Sequence, residues 1–262
     1  MQHLALGIQY RGSAYHGWQT QKHMPNKTVQ ELLESALSYI ANSPIKTVCA
    51  GRTDTGVHGM GQVVSISSPT ARPDKAWISG GNTRLPKDIR VQWVRPVQEG
   101  FSARFDAESR TYRYVIYCSD IEPALLQGLV TWSSTELDVD SMHRQAQGLV
   151  GEHDFSSFRG SGCQSRTPFR NITRVSVTQK GKFVTVEITA NAFLLHMVRN
   201  IVGALLEVGT GRKKVTYIDD VLAAKDRSAA SKTAPPGGLC LTSVAYPKEF
   251  ELNVNTDTGF WF

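Results

Sequence analysis

The chain has 262 residues, enough for one large domain or two modest ones, and its 40% hydrophobic, 20% charged and 9% aromatic composition excludes a disordered, collagen-like or coiled-coil protein. Twenty-nine Lys and Arg against 23 Asp and Glu give a formal charge of +6, which points toward an anionic partner. No apolar run reaches the roughly 18 residues of a membrane span, and the opening residues alternate instead of forming a signal core, so a soluble, cytosolic protein is expected.

Residues 3–10 alternate apolar and polar side chains as a half-buried strand does, and a loop punctuated by Gly12 and Gly17 follows. A helix comes next: Thr28 and Glu31 form a capping box, Val29, Leu32, Leu33, Ala36, Leu37 and Ile40 an apolar stripe, and Asn42-Ser43-Pro44 a stop. Residues 47–51 and 62–67 read as strands, and the polar, glycine-rich stretch 52–61 as their connection. A helix around 74–81 precedes strands at 89–94 and 110–118, the latter alternating through Tyr112, Tyr114 and Ile116. Residues 139–149 read as a helix, 172–178 and 183–189 as a hairpin turning near Lys180-Gly181, and 193–208 as a helix closed by Gly209. A short helix at 218–224 and a strand at 239–245 complete the chain. Strand, helix and hairpin early, then hairpin, helix and strand late, imply an α+β fold in two halves, 1–106 and 107–262.

The charge is unevenly placed. Residues 1–113 carry 14 basic and 8 acidic side chains, 114–154 one and seven, 155–186 six and none, and 187–262 eight of each. Two basic territories therefore flank an acidic one, which is expected to face away from an anionic partner. Tyr10, Tyr15, Trp18, Phe101, Phe105, Tyr112, Tyr114, Phe155, Phe158 and Phe169 punctuate the basic territories, a pattern that suits phosphate contacts with base stacking as well as ordinary core packing. Cys49, Cys118, Cys163 and Cys240 contain no C-x-x-C pair and the seven histidines no H-E-x-x-H, so no metal site is expected.

Between two strands stands Gly51-Arg52-Thr53-Asp54-Thr55-Gly56-Val57-His58-Gly59, whose glycines permit a sharp turn that can lift a carboxylate above a sheet edge. Such an aspartate also serves as a plain turn former. Asp54-Thr55-Gly56 matches the aspartic-protease triplet too, but Arg52 interrupts the run before it, no second D-[ST]-G occurs, and a symmetric dimer would be required.

The stretch 51–58 resembles the catalytic signature of the pseudouridine synthases that modify tRNA, in particular the bacterial tRNA pseudouridine synthase A family, with its pattern G-R-T-D-x-G-V-H. The same family is matched, in order, at Tyr10-Arg11-Gly12 through Tyr15-His16-Gly17-Trp18-Gln19, at Arg110-Thr111-Tyr112-Arg113-Tyr114, at His196-Met197-Val198-Arg199-Asn200-Ile201-Val202-Gly203 and at Gly238-Leu239-Cys240-Leu241. The chain departs from it at Arg11, where an acidic residue is usual, and at Thr55 and Gly59, where small alanines are usual.

The resemblance implies two ferredoxin-like or RRM-like halves, with largely antiparallel sheets, flanking a central basic cleft. It implies an isomerase that converts uridine to pseudouridine at positions 38, 39 and 40 of the tRNA anticodon stem-loop, acting as a homodimer. That chemistry breaks a glycosidic bond and rejoins the sugar at C5, so it demands no cofactor or metal. It assigns the essential carboxylate to Asp54, as nucleophile at the sugar or base or as base at the ribose. It assigns Tyr112 a catalytic part, stacking on the flipped uracil with its hydroxyl a candidate to take the C5 proton, and it assigns Arg52, His58 and Leu239 to substrate binding. An aspartate in a dry cleft stays charged more readily beside an arginine, and Arg199 is the candidate, on a helical stripe with Ala192, His196 and Gly203. A non-catalytic tRNA-binding module is the competing reading, against which intact Asp54, Tyr112 and Arg199 count.

Overall fold

The computed structural model describes residues 1–21 and 27–252. In chain order the elements are β1 (Gln2–Tyr10), α1 (Val29–Ala41), β2 (Val48–Cys49), β3 (His58–Ser68), α2 (Gly81–Arg84, continuing a π turn at Ala76–Gly80) and β4 (Ile89–Pro96). They continue as β5 (Ser109–Cys118), β6 (Thr131–Ser133), α3 (Val139–Ala146), β7 (Gly151–Asp154), β8 (Phe169–Lys180), β9 (Phe183–Ala190), α4 (Met197–Gly209), α5 (Tyr217–Ala224) and β10 (Leu239–Ala245). The fold is α+β. No helix among the described residues is long and apolar enough to cross a membrane.

The chain packs as two units, one of Met1–Arg110 with the segment from Cys240, the other of Thr111–Leu239. Sequence reading puts all of 107–262 in the second half. The last strand joins the first unit because it pairs in parallel with the start of β3, Cys240 opposite His58 and Leu241 opposite Gly59.

In the first unit β1 lies between β4 and β3, antiparallel to both, and β2 runs antiparallel to β3. With α1 joining β1 to β2 and α2 joining β3 to β4, this is the split βαβ order of a ferredoxin-like half. Central β1 has both faces covered, so Leu4, Leu6 and Ile8 are buried without strict alternation. They pack with Leu33 and Leu37 of α1 and with Trp77 and Val91. Burial of a side chain such as Leu37 stabilises by about 1.5–3 kcal/mol.

Three expected features are built differently. Thr28 precedes α1 as its N-cap, but its side chain accepts nothing from the helix. The carbonyls of Gly17 and Trp18 take the N–H groups of Val29 and Gln30 at 3.2 and 3.0 Å, so the glycine loop caps the helix. The strand expected over 47–51 shrinks to Val48–Cys49, because Thr47 gives its N–H and hydroxyl to Glu34 at 2.9 and 3.1 Å. β3 in turn starts at His58, where β10 supplies a partner for residues that read as loop.

In the second unit the strand order is β5-β9-β8-β7, with β6 parallel to β5. Thr111–Thr189, Arg113–Glu187 and Tyr117–Phe183 contacts run in opposite chain directions, which makes β5 and β9 antiparallel. The β8–β9 hairpin turns at Gly181, φ +57°, as the sequence indicates. β6 and β7, of three and four residues, carry too little alternation to be read from sequence. α4 begins at Met197, not at 193 as expected. Leu195 donates its N–H to Cys163 Sγ and its carbonyl accepts the Gly160 N–H, and His196 sits at φ +60°, so this apolar stretch bonds to a neighbouring loop.

Candidate active site

The loop between β2 and β3 carries Asp54, and almost every residue before it is held. Ala50 gives its N–H to Val63 O at 2.8 Å, while its carbonyl takes Arg110 Nε and Nη2 at 3.1 and 3.0 Å. Gly51 is clamped by the Gln62 amide, which donates to Gly51 O at 2.5 Å and accepts the Gly51 N–H at 3.3 Å. Thr53 Oγ1 meets the Tyr10 hydroxyl at 2.8 Å, and its carbonyl accepts the Trp18 N–H at 3.0 Å. The turn closes from Val57 N to Asp54 O at 3.1 Å, with Gly56 at φ +80°, a conformation that disfavours any side chain. Asp54 is half-buried in that turn and Arg52 is exposed.

The motif at 10–19 is the wall against which this loop is built. A Cβ at Gly12 would lie 1.9 Å from Val57 O, so only glycine fits. The Gly12 N–H is accepted by His58 Nδ1 at 3.0 Å. His58, expected on the substrate, is 2% exposed. Tyr15 anchors the wall's other side through a 2.5 Å bond to Asp88. Tyr10, Tyr15 and Trp18 are core rings, not stacking surfaces. Phe105 is 79% exposed, with the Arg104 guanidinium 5.3 Å from its ring centre.

Burial pushes the Cys49 thiol up to about 11, against the pull of Arg52, Arg104 and Arg110. The loop's base therefore holds a neutral thiol in a cationic setting at neutral pH.

In the second unit, Tyr112 and Tyr114 share one face of β5 but differ in use. Tyr114 is fully buried, its hydroxyl bonded to Thr131 Oγ1 at 2.5 Å and to Pro235 O at 2.8 Å, and burial raises its ionisation well above the ordinary range. Tyr112 meets the Phe193 ring edge-on at 5.1 Å. Arg199, on the first turns of α4, donates through Nε to Ala234 O at 2.8 Å and accepts the Ala234 N–H at 3.1 Å. Gly203, one turn on, leaves space for Lys232 O, 2.0 Å from where a Cβ would stand. The expected stripe thus holds for Arg199 and Gly203, while Ala192 and His196 precede the helix. Leu239, expected on the substrate, is 5% exposed and opens β10.

The arginines of the second basic territory divide. Arg159 holds the Cys163 and Ser165 carbonyls, both at 2.8 Å. Buried Arg170 holds Thr167 O at 3.1 Å, Phe169 O and Ser165 Oγ. Arg166, Arg174, Lys180 and Lys182 are exposed. Phe155 and Phe158 are fully buried, whereas Phe169 is 51% exposed.

Among the described residues no group of three His, Cys, Asp or Glu is arranged to hold a metal ion. The structure therefore gathers Asp54 and Arg52 on one loop of the first unit, and Tyr112 and Arg199 on packed elements of the second. Sequence reading gave no role to Gln62, whose signal was polarity inside a strand pattern, or to Arg110, which opens the family-matched segment 110–114 but was passed over for Tyr112.

Residues 7–106 and 145–247 match the family model described as tRNA pseudouridine synthase. Asp54, Arg52 and Arg199 fall inside the matched stretches, and Tyr112 lies between them. A tRNA pseudouridine synthase A of Hydrogenovibrio crunogenus is 54% identical over 259 residues, covering 98% of each chain. Proteins of the same name from an Enterobacter species and from Haemophilus influenzae are 53% and 49% identical over 249 residues, 95% of this chain and 92% of theirs. On the family match and these near-full-length relatives, the chain belongs to the tRNA pseudouridine synthase family.

Proposed function

We propose that the chain isomerises uridine to pseudouridine at positions 38, 39 and 40 of the tRNA anticodon stem-loop, with Asp54 as the nucleophilic carboxylate. In this reaction the N1–C1′ bond breaks, the uracil turns, a C5–C1′ bond forms, and the C5 proton leaves as N1 gains one. One positioned carboxylate is the group this chemistry demands. The observation that carries the reading is Asp54 itself, half-buried in a turn whose flanking residues are hydrogen-bonded one by one to β1, β3 and β5.

By the family resemblance Tyr112 is the ring that stacks on the uracil, Arg199 supplies positive charge and Arg52 engages the RNA. Extruding a base costs a few kcal/mol, less in a loop than in a stem, and contacts to exposed cations such as Arg166 and Arg174 offset it. The same resemblance supports a homodimer working in the cytoplasm.

The test is release of tritium from C5-labelled uridine in tRNA. Wild-type protein releases label, and Asp54→Asn binds tRNA but releases none; substantial turnover by that variant removes Asp54 from the mechanism. A pseudouridine map of tRNA from cells lacking the protein tests the positions: loss confined to sites outside the anticodon arm refutes them.

A further inference from the structure

The chain leaves the sheet at Ala50. Up to that residue the backbone is paired conventionally, Val48 and Cys49 with Ser65 and Val64, and Ala50 N with Val63 O. At the Ala50 carbonyl and at Gly51 two buried side chains supply the hydrogen bonds. Arg110 is 8% exposed and donates to three main-chain carbonyls: Ala50 through Nε and Nη2, Arg104 through Nη2 at 2.6 Å, and Ala107 through Nη1 at 3.0 Å. Gln62 is 0% exposed and pairs with both backbone groups of Gly51.

A guanidinium is expensive to bury, and an apolar residue of similar size packs a strand face at least as well. Its planar fork, however, fixes the direction of each carbonyl it holds, which an apolar side chain or a lysine does not. The carbonyls it holds belong to the last residue before the Asp54 loop and to the Arg104–Ala107 segment.

Resting on the assignment of Asp54 above, we infer that Arg110, with Gln62, is a positioning residue for the reaction. It sets the direction in which the Asp54 loop departs from the sheet and hence where the carboxylate stands. Neither side chain is assigned contact with substrate. A misplacement of about 1 Å in a reacting group costs on the order of a hundredfold in rate, so a small tilt at Ala50 has a kinetic effect out of proportion to its effect on the fold.

The test uses full-length Arg110→Lys and Gln62→Met, measuring single-turnover label release, tRNA affinity and thermal unfolding. Each variant is expected to lose on the order of 10- to 100-fold in the rate of the bound complex, with tRNA affinity within about twofold of the parent and cooperative unfolding retained. Parent-like turnover in both variants overturns the inference, and so does a loss in rate matched by an equal loss in tRNA affinity. If Arg110→Lys does not fold, Gln62→Met decides alone by the same criteria. Asp54→Asn is run alongside. Turnover by that variant defeats the Asp54 assignment, whereas an inactive Asp54→Asn with parent-like Arg110→Lys and Gln62→Met defeats only this inference.

Discussion

The Tyr10 hydroxyl and Thr53 Oγ1 lie 2.8 Å apart, both residues buried, joining the end of β1 to the residue that precedes Asp54. Tyr10→Phe keeps the ring and deletes this bond. It is expected to lower stability by about 1–2 kcal/mol, read from the urea midpoint at unchanged slope. Its turnover falls further than its tRNA affinity, because the bond orders the loop and not the RNA.

His58 accepts the Gly12 N–H through Nδ1 inside the first unit. His58→Leu removes that acceptor and leaves a buried donor, a loss of about 1–3 kcal/mol. His58→Asn places an amide oxygen near the Nδ1 position and is expected to recover much of this. Equal unfolding midpoints for the two variants contradict the scaffold role.

Cys49 gives a pH dependence with a definite sign. Burial raises its folded-state pKa from the model-compound value of 9.0 to about 11, so the folded protein holds the proton more tightly than the unfolded chain. The resulting stability is fully present below pH 9 and is lost as pH rises toward 11. Urea midpoints of wild type and Cys49→Ala are expected to converge or cross over that interval, the wild type falling more steeply. Parallel curves rule this out.

The second basic territory separates by exposure into cations open to solvent and cations holding their own loop. If about six phosphates are neutralised, tRNA affinity falls about a thousandfold between about 50 and 200 mM salt. Arg166→Gln reduces the log–log salt slope by about 1. Arg170→Gln loosens the 165–169 loop, lowers the thermal midpoint and leaves the slope nearly unchanged. A slope change for Arg170 equal to that for Arg166 contradicts the division.

Elements whose side-chain period repeats over eight or more residues are legible in this sequence: β1, α1, β5, the β8–β9 hairpin and α4 all stand where alternation or a helical stripe puts them, within a few residues. The errors sit where backbone groups find partners far along the chain. Thr28 has the residue type of a cap, but the carbonyls of Gly17 and Trp18, each 12 positions before the N–H it accepts, reach the helix first. Residues 193–196 have helical composition, but both backbone groups of Leu195 bond to the loop at Gly160 and Cys163.

For the candidate site the division is similar. The sequence by itself determined that Asp54 stands in a tight glycine turn between strands, because glycine spacing and carboxylate chemistry are local and need no partner to be recognised. It also determined that the chain is basic overall. Only the tertiary structure decided which polar groups are spent on the fold: His58 on Gly12, Arg110 on Ala50, Gln62 on Gly51, and Arg159 and Arg170 on their own loop. An arginine is equally charged in a sequence whether it faces solvent or closes a carbonyl. Its role is set by the distant backbone that needs a donor, and that backbone is known only when the chain has folded.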